Sequence, residues 1–394
     1  MNIVHIVPVY APAWKFGGPV QSISRICESM VAMGHKVSII TTNAGIKKSE
    51  KISVKFPVER NGVNVTYLET KDSGATIKTC KYRTKSVRKI IEKADVVHMS
   101  IVWQPWGIKL RKLAKDLDKP IVQSTRGALS EYSFSRNSLI KNLYYQIIEK
   151  SSLNESALIH VTSKAEKMEV ERLSLNPTIK IVGNPIDITY KSRGIQEKLK
   201  KESHITEKSK TRKLLICGRI NKKKGLDLLP CILSKLTKYN WTLDIIGESD
   251  DESKSDLVSS FTNMKLDGRI SWSPFVEPLK LSEVYEKADL LLLPSRHENF
   301  GNVVIEALAH GCQVAVSDQT GVSADLRESG MVDYGVVLER KEELWSEWMI
   351  EWFEKPLRRA NSSAEWISTM YSPTAVAHQM LEMYKTILTD KNIR

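Results

Sequence analysis

The sequence predicts an α/β protein with two doubly wound parallel sheets, each in a domain of its own. The chain has 394 residues, more than one ordinary hydrophobic core accommodates. Short β-rich runs alternate with helical patterns in both halves, which is typical of parallel strands joined by crossover helices. A charged stretch poor in large apolar residues, 191–212, separates the two alternating regions. We therefore place domains at 1–190 and 191–372, and expect a final helix within 373–394 to return to the first domain.

The first domain is predicted to contain seven strands and five helices. The strand runs are short, apolar and rich in β-branched residues, and the helix runs have apolar residues three and four apart. The predicted strands are 4–8, 36–41, 63–68, 95–99, 120–124, 157–161 and 180–182. The predicted helices are 22–33, 86–93, 109–117, 141–151 and 163–173.

The second domain repeats the alternation. Its predicted strands are 213–218, 241–247, 269–273, 290–294, 313–317 and 335–337, with helices at 281–287 and 373–388. Four tryptophans in the amphipathic stretch before the last helix are interpreted as packing anchors rather than a sugar platform: Trp345, Trp348, Trp352 and Trp366. Two such sheets are expected to face each other across a cleft, with functional residues at the carboxyl ends of the strands.

Charge and composition restrict the environment and the partners. Residues 1–190 hold 29 Lys and Arg against 16 Asp and Glu, whereas residues 191–394 hold 30 of each. The positive half favours an anionic membrane surface, a phosphate-bearing acceptor or nucleic acid, unless its charges are merely solvated helix faces. The five scattered cysteines indicate reduced thiols. Without a leader pattern or a long apolar run, we expect a cytoplasmic protein.

The strongest chemical signal is the segment 294–308, PSRHENFGNVVIEAL. An apolar strand ends, a loop carries Glu298, Gly301 permits a close backbone approach, and a helix then begins with Glu306 one turn inside it. Free amides at a helix start favour an anion, and two carboxylates beside them suit the hydroxyls of a polyol. The alternative is structural, with Glu298 capping the helix and Glu306 solvated.

A second signal follows the first strand of the second domain, at 218–225, GRINKKKG. Arg219 offers a planar bidentate donor and Lys224 a point charge, so the two cations can neutralise a diphosphate. A basic loop of this kind is otherwise plain surface charge. The carboxylates further along the chain favour the functional interpretation.

Together these segments resemble the E-x7-E and G-R-x4-K-G motifs of family 4 of the retaining glycosyltransferases, which have the two-domain GT-B fold. The resemblance extends along nearly the whole chain. It implies that Glu298 contacts the hydroxyls of the donor sugar and Glu306 the ribose of the nucleotide. Arg219 and Lys224 then hold the diphosphate and stabilise its charge as it leaves. The backbone of the helix start also faces the donor, through Asn299, Phe300, Gly301 and Asn302.

The resemblance implies further contacts outside these two motifs. Gly17 and Gly18, after the first strand, match a glycine loop that contacts the nucleotide-sugar, and Val276 takes a place where the backbone contacts the base. His98 and Ser100 stand where many members have His-x-His, so a donor-sugar contact is altered at Ser100. His98 alone is equally well read as a core histidine.

Arg126 lies in an Arg-Gly-x-Leu sequence, which resembles the variant of bacterial surface-polysaccharide members. It is a candidate contact for a phosphate of the acceptor or of the donor. A structural ion pair is the alternative.

The implied function is retaining transfer of a hexosyl or N-acetylhexosaminyl group from a nucleotide-diphosphosugar to a lipid-linked or surface-polysaccharide acceptor, of the O-antigen or capsule type. No D-x-D and no His/Asp cluster indicates a divalent metal, so no metal and no cofactor are expected. The implied place of action is the inner face of the cytoplasmic membrane.

Three other functions were weighed. A GT-B-fold nucleotide-sugar epimerase stays open. A Rossmann-type dehydrogenase or binding protein is disfavoured, because the glycines lack G-x-G-x-x-G order and no acidic residue follows at the expected strand end. Nucleic-acid binding is disfavoured because no aromatic-basic recognition pattern is present.

Overall fold

A computed structural model describes residues 1–50, 52–72, 74, 77–81, 84–135, 138–186, 211–249, 251–274, 278–360 and 363–392. The chain divides into two compact units. Unit 1 comprises Met1–Pro185 and Tyr371–Arg394, and unit 2 comprises Ile186–Met370. The linker expected at 191–212 lies outside the described residues up to residue 210, and a strand begins at Arg212.

Unit 1 is built on one sheet. Its strands are β1 (Asn2–Ile6), β2 (Lys36–Thr42), β3 (Val58–Arg60), β4 (Val63–Leu68), β5 (Val96–Met99), β6 (Ile121–Ser124), β7 (Leu158–Val161) and β8 (Ile179–Ile181). Their order in the sheet is β3-β4-β2-β1-β5-β6-β7-β8, and every pair is parallel except β3 with β4. β3 was not predicted, and because it pairs antiparallel to β4 the sheet is not purely parallel. Asn61 and Gly62, with φ of +48° and +78°, form the tight turn of this hairpin.

The helices of unit 1 occupy the predicted connections, with some earlier starts. Up to β8 they are α1 (Gly18–Ala32), α2 (Thr84–Glu92), α3 (Pro105–Asp116), α4 (Glu131–Ser135), α5 (Ser138–Tyr144), α6 (Lys150–Asn154) and α7 (Lys164–Glu171). A π-helical turn, Tyr145–Glu149, joins α5 to α6. Pro19 and Pro105 fall in the first turns of α1 and α3, where a missing N–H costs no hydrogen bond.

Unit 2 has a parallel sheet with the order β11-β10-β9-β12-β13-β14. The strands are β9 (Arg212–Cys217), β10 (Trp241–Ile246), β11 (Ile270–Ser273), β12 (Leu290–Leu293), β13 (Gln313–Ser317) and β14 (Gly335–Leu338). The helices are α8 (Leu229–Ser234), α9 (Asp251–Asn263), α10 (Pro278–Lys287), α11 (Asn302–Ala309), α12 (Ser323–Glu328), α13 (Glu342–Glu354) and α14 (Ser363–Tyr371).

The core of unit 2 explains its element pattern. Every side chain of β12 is buried, as expected for a central parallel strand covered on both faces. Trp345 and Trp352 of α13 belong to the buried cluster, which confirms them as packing anchors. Burial of such large aromatic side chains supplies much of the apolar area that stabilises this unit.

The last helix, α15 (Pro373–Asn392), packs along α1 in unit 1. Val376, Met380 and Tyr384 are buried in the same cluster as β1 and α1. Unit 1 is therefore built from both ends of the sequence. Within the part of the chain described, no helix combines the length and the apolar character needed to cross a bilayer.

Candidate functional site

Two loops of unit 2 leave the carboxyl ends of neighbouring strands. The first, 218–225, follows β9, and the second, 294–301, follows β12. β9 pairs with β12 on one side and with β10 on the other, so the chain reverses its direction of progress across the sheet at β9. Such a reversal opens a crevice at the carboxyl edge of an open sheet, where ligands bind. The two predicted motifs therefore meet at the switch point of this sheet.

The backbones of these two loops touch each other. The N–H of Arg296 donates to the carbonyl of Lys223 at 2.9 Å. Gly225 has φ of +62°, and a Cβ at this position would lie 2.2 Å from the carbonyl oxygen of Pro294. Only glycine allows this approach without displacement of the second loop.

The partly buried Arg340 bridges the same two loops. Arg340 donates from Nε to the Pro294 carbonyl at 3.2 Å and from Nη2 to the Gly225 carbonyl at 3.2 Å. Asp227 accepts from Nη2 of Arg340 and from Nη2 of Arg296, both at 2.7 Å. Neither Arg340 nor Asp227 was predicted, because neither belongs to a short motif.

Lys224 and Glu298, one from each loop, form an ion pair. Lys224 Nζ lies 2.5 Å from Glu298 Oε2, and the two side chains are 16% and 22% exposed. Burial raises the pKa of the Glu298 carboxyl, but the charge of Lys224 and its hydrogen bond outweigh burial and hold this pKa below its ordinary value. Glu298 is therefore ionised at neutral pH, at the mouth of the loop pair.

The Glu298 loop is fixed on its other side by the loop after β13. The N–H of Glu298 donates to the carbonyl of Gln319 at 2.9 Å, and Gly321 N donates to the carbonyl of Glu298 at 2.8 Å. Gly301 is the N-cap of α11 with φ of +97°, and no side chain caps this helix start. The capping role that spacing alone allowed for Glu298 is therefore wrong.

Glu306 is held from α10. The Tyr285 hydroxyl donates to Glu306 Oε2 at 2.9 Å, and the Tyr285 ring stacks on His310 with centroids 5.6 Å apart. Burial and the nearby Cys217 and Glu306 raise the pKa of Tyr285 well above its ordinary value, so its hydroxyl stays a donor. Glu306 is thus half-buried and oriented rather than freely solvated, and Tyr285 is a further residue that no motif indicated.

Of the residues predicted to bind the donor substrate, Arg219 lies within the described residues and Val276 does not. Arg219, directly after Gly218, is exposed and makes no side-chain hydrogen bond or ion pair within the described ranges. Its guanidinium is therefore open to an anion. Val276 lies outside the described residues. Asn299 and Asn302 flank Phe300 and Gly301 at the start of α11.

In unit 1 the glycine pair begins a helix. Gly17 is the N-cap of α1 with φ of +68°, and Gly18 is its first residue. Arg126, at the end of β6, has φ of +45° and donates to Ser22 Oγ of α1 at 3.3 Å and to Asn184 Oδ1 at 3.1 Å. Burial lowers the pKa of Arg126 below its ordinary value. Its hydrogen bonds go to neutral groups, so the ion-pair alternative receives no support from them.

His98 lies in the interior of unit 1. It is 1% exposed, its Nδ1 is 2.6 Å from Tyr384 Oη, and its ring stacks on His5 at 4.8 Å. His160 meets the same ring edge-on at 5.4 Å. Burial lowers the pKa of His5 and His160 to about 3 and that of His98 well below its ordinary value.

The predicted sugar contact at His98 thus falls on a core residue, and Ser100 lies just beyond the end of β5. Ser100 N donates to the carbonyl of Ile6 at 2.9 Å. The Ser100 hydroxyl is buried, without a hydrogen-bond partner among the residues that the structure describes.

Comparison with known proteins gives two family matches. Residues 16–190 match the model described as Glycosyltransferase Family 4, and residues 196–368 match that described as Glycosyl transferases group 1. A curated relative, GDP-mannose:cellobiosyl-diphosphopolyprenol alpha-mannosyltransferase of Xanthomonas campestris, is 23% identical over 86% of this chain and 84% of its own length.

Solved structures share the fold over the full length. Sucrose-phosphate synthase from Thermosynechococcus elongatus superposes with a TM-score of 0.73 at 15% identity, covering 99% of this chain and 100% of its own. Anabaena HepE in complex with UDP and glucose has a TM-score of 0.69 at 17% identity, covering 98% and 100%. With both sheets in place and both family matches spanning them, this chain belongs to the family 4 glycosyltransferases and has the GT-B fold.

Proposed function

We propose that this enzyme transfers a hexosyl or N-acetylhexosaminyl group from a nucleotide-diphosphosugar to a lipid-linked acceptor of surface-polysaccharide synthesis, with retention and without a metal or cofactor. The observation that carries the proposal is the Lys224–Glu298 pair at the switch point of unit 2. It places a cation for phosphate and a carboxylate for hydroxyls within 2.5 Å of each other.

The electrostatics of these loops suit a diphosphate. Glu298 already balances Lys224, so the exposed Arg219 supplies the excess positive charge, and the start of α11 adds the partial positive charge of a helix N-terminus. We propose that Arg219 and Lys224 bind the diphosphate, while Asn299, Phe300, Gly301 and Asn302 present backbone to it. Such fixed donors stabilise charge most where it develops in the transition state.

The carboxylates are assigned to the two sugars of the donor. Glu298 accepts hydrogen bonds from hydroxyls of the transferred sugar, and Glu306, oriented by Tyr285, accepts from the ribose hydroxyls. Gly17 and Gly18, at the start of α1, are proposed as backbone contacts to the nucleotide-sugar, and Val276 as a contact to the base.

In the proposed step, the acceptor hydroxyl oxygen forms a bond to the anomeric carbon as the bond from that carbon to the diphosphate oxygen breaks. The electron pair stays on the diphosphate, next to Arg219 and Lys224. The hydroxyl proton passes to the departing phosphate oxygen on the same face of the sugar. Retention of configuration follows, and no protein nucleophile is needed.

The acceptor class rests on charge and on a relative. The curated Xanthomonas relative is named for a diphosphopolyprenol acceptor. The positive first half of this chain suits an acceptor that carries phosphate and lies at an anionic membrane surface. We propose that Arg126 binds a phosphate of the acceptor or donor, with His98 and Ser100 shaping the same end of the sheet. The working place is then the inner face of the cytoplasmic membrane.

Turnover of Arg219→Ala and Lys224→Ala tests the assignment. Each should reduce kcat by roughly 10²–10³-fold. Arg219→Ala should melt close to the wild-type temperature, whereas Lys224→Ala should stay folded but also lose the stability of its ion pair with Glu298. Lys222→Ala is the matched control, because Lys222 lies in the same loop but is exposed and pairs with Glu252 at 2.8 Å. Near-normal turnover of Arg219→Ala and Lys224→Ala would refute the roles of these two residues.

Two further measurements test the rest of the proposal. Turnover should be unchanged after dialysis against EDTA, and the anomeric proton of the product should show the donor's configuration by NMR. Loss of activity restored by Mg²⁺ or Mn²⁺ contradicts metal independence. Isomerisation of the donor sugar without any acceptor would instead indicate an epimerase.

A further inference from the structure

The segment between β6 and β7 presents a row of large apolar side chains to solvent. Leu139 and Ile140 are 85% and 77% exposed, and Leu143 and Ile147 are 62% and 66% exposed. The first three lie on α5 and the last on the π-helical turn that follows it. Spacings of three and four residues put them on one side of this helical segment. We call these four residues the apolar stripe.

The opposite side of the segment is firmly packed, so the stripe is held outward. Tyr145 is buried against Trp103, and the carboxylate of Glu149 accepts from the N–H of Trp103 at 2.8 Å. Lys141 Nζ donates to the carbonyl of Ser133 at 2.5 Å and lies over the Trp103 ring. Because the segment is held in place by these contacts, its exposed apolar side chains form a fixed surface that suits a binding partner.

Positive charge lies on the same face of the sheet. The connections from β4 to β5, β5 to β6 and β6 to β7 all run in the same direction along the sheet, towards β8. Right-handed crossovers therefore place α2, α3 and the stripe segment on one face of the sheet. α2 contacts α3, and Arg111 of α3 donates to the carbonyl of Ser152 in α6 at 2.8 Å. The exposed cations of α2 are Lys85, Arg88 and Lys89.

We propose that the apolar stripe is a membrane-insertion surface and that its partner is an anionic lipid bilayer. Aliphatic side chains enter the boundary between headgroups and acyl chains, and the cations of α2 meet the negative headgroups. A second copy of this chain is a poorer partner. It would bring the same positive charge to the contact, and four aliphatic side chains bury at most a few hundred Å², short of the roughly 800 Å² per partner of stable interfaces.

This surface would bring the enzyme to the place where a polyprenol-linked acceptor resides. The stripe follows Arg126, at the end of β6, by about a dozen residues, so membrane contact and the candidate phosphate contact lie on one connection. The inference goes beyond the proposed transfer reaction, because lipid binding requires no donor and no turnover.

Vesicle co-sedimentation of the full chain tests it, with no sugar donor present. Vesicles of phosphatidylcholine with about 30% phosphatidylglycerol are compared with phosphatidylcholine alone. We expect the wild type to bind the anionic vesicles, and the triple variant Leu139→Ser/Leu143→Ser/Ile147→Ser to bind them about tenfold or more weakly. Phe56→Ser/Val332→Ser is the matched control, since these apolar residues are 68% and 92% exposed elsewhere, and it should bind like the wild type.

A charge variant and a test of folding complete the design. Lys85→Glu/Lys89→Glu should weaken binding to anionic vesicles, and 0.5 M NaCl should do the same. The triple variant should melt at the wild-type temperature, because its substituted side chains are exposed. Equal vesicle binding by triple variant and wild type, or no binding by the wild type, overturns the proposal. A wild-type dimer in light scattering that the triple variant converts to monomer also overturns it, in favour of a self-interface.

Discussion

Lys224 Nζ lies 2.5 Å from Glu298 Oε2, although 74 residues separate the two positions in the sequence. The pair closes the contact between two loops that leave neighbouring strands. A phosphate that binds Lys224 therefore has to share the ammonium with a carboxylate already in place. We expect such a phosphate to weaken the ion pair and free the Glu298 carboxylate for other hydrogen bonds.

Glu298→Gln should reduce stability in a pH-dependent manner. The pKa of Glu298 is lowered in the folded state, so the ion pair contributes fully above the ordinary glutamate value of 4.5 and is lost as the pH falls through the folded pKa. We expect a loss of roughly 1–2 kcal/mol at pH 7 that shrinks below pH 4.5. Urea unfolding from pH 3 to 8 measures it, with the exposed Glu343→Gln as control. A difference that grows on acidification contradicts the pair.

Arg340→Ala should cost more than Asp227→Asn. The first change removes the Arg340 donor from both carbonyls and leaves Gly225 only the N–H of Leu228 at 3.4 Å, which costs about 1–3 kcal/mol. The second weakens an ion pair whose carboxylate is 57% exposed, so less than about 1 kcal/mol is expected. Urea midpoints and kcat of both variants are the measurement, and turnover should follow the same order. Equal stability losses in the two variants would contradict the larger role given to the hydrogen bonds from Arg340 to the two carbonyls.

Gly225→Ala tests the close approach of the two loops against a matched glycine. Gly225 and Gly330 have φ of +62° and +72°, so alanine costs both the same backbone strain of about 1 kcal/mol. At Gly330 a Cβ meets nothing within 4 Å, whereas at Gly225 it meets the Pro294 carbonyl at 2.2 Å. Gly225→Ala should therefore lower the melting temperature further and raise the donor KM. Indistinguishable melting temperatures would argue against the contact.

The buried histidines of unit 1 should make it sensitive to mild acid. The folded pKa values of His5 and His160 fall to about 3, while unfolded histidine has 6.5, so stability is complete above pH 6.5 and declines below it. Between these two pKa values, each such histidine lowers the free energy of unfolding by about 1.4 kcal/mol for every unit that the pH falls. His5→Phe should reduce the slope of unfolding free energy between pH 6 and 4, and the exposed His378→Gln should not. An unchanged slope for His5→Phe contradicts a neutral buried ring.

Much of the fold could be predicted because buried parallel strands are continuous apolar runs. Every predicted strand has a strand in its place, but β3 is only three residues long and is marked chiefly by Asn61-Gly62. Helix starts were placed late, since α1 begins at Gly18 and α3 at Pro105, where residues lack the apolar spacing used to find helices. The proline in the first turn of each helix is the local signal that marks these starts.

The site was only partly predictable. Short spacing predicted Arg219, Lys224 and Glu298 as candidates, because their loops directly follow apolar strands. It predicted Glu306 because this residue lies eight positions after Glu298, on the following helix. Spacing carries no information on contacts across the sheet, so the support from Tyr285 and Arg340 could not be inferred. For His98 the sequence left a ligand contact and a core position equally open, because a polar residue at a strand end fits both. In the structure its ring is buried between His5 and Tyr384.

The packing of α15 on α1 has a consequence for how the chain folds as it is synthesised. Tyr384 makes its hydrogen bond with His98 across 286 residues of sequence, so the sheet of unit 1 lacks one wall of its core until α15 has been synthesised. Unit 2, begun later, has all of its strands earlier in the sequence than this helix. Unit 1 therefore starts to form before unit 2 but is completed after the strands of unit 2, and chaperones would meet it with the α1 surface uncovered.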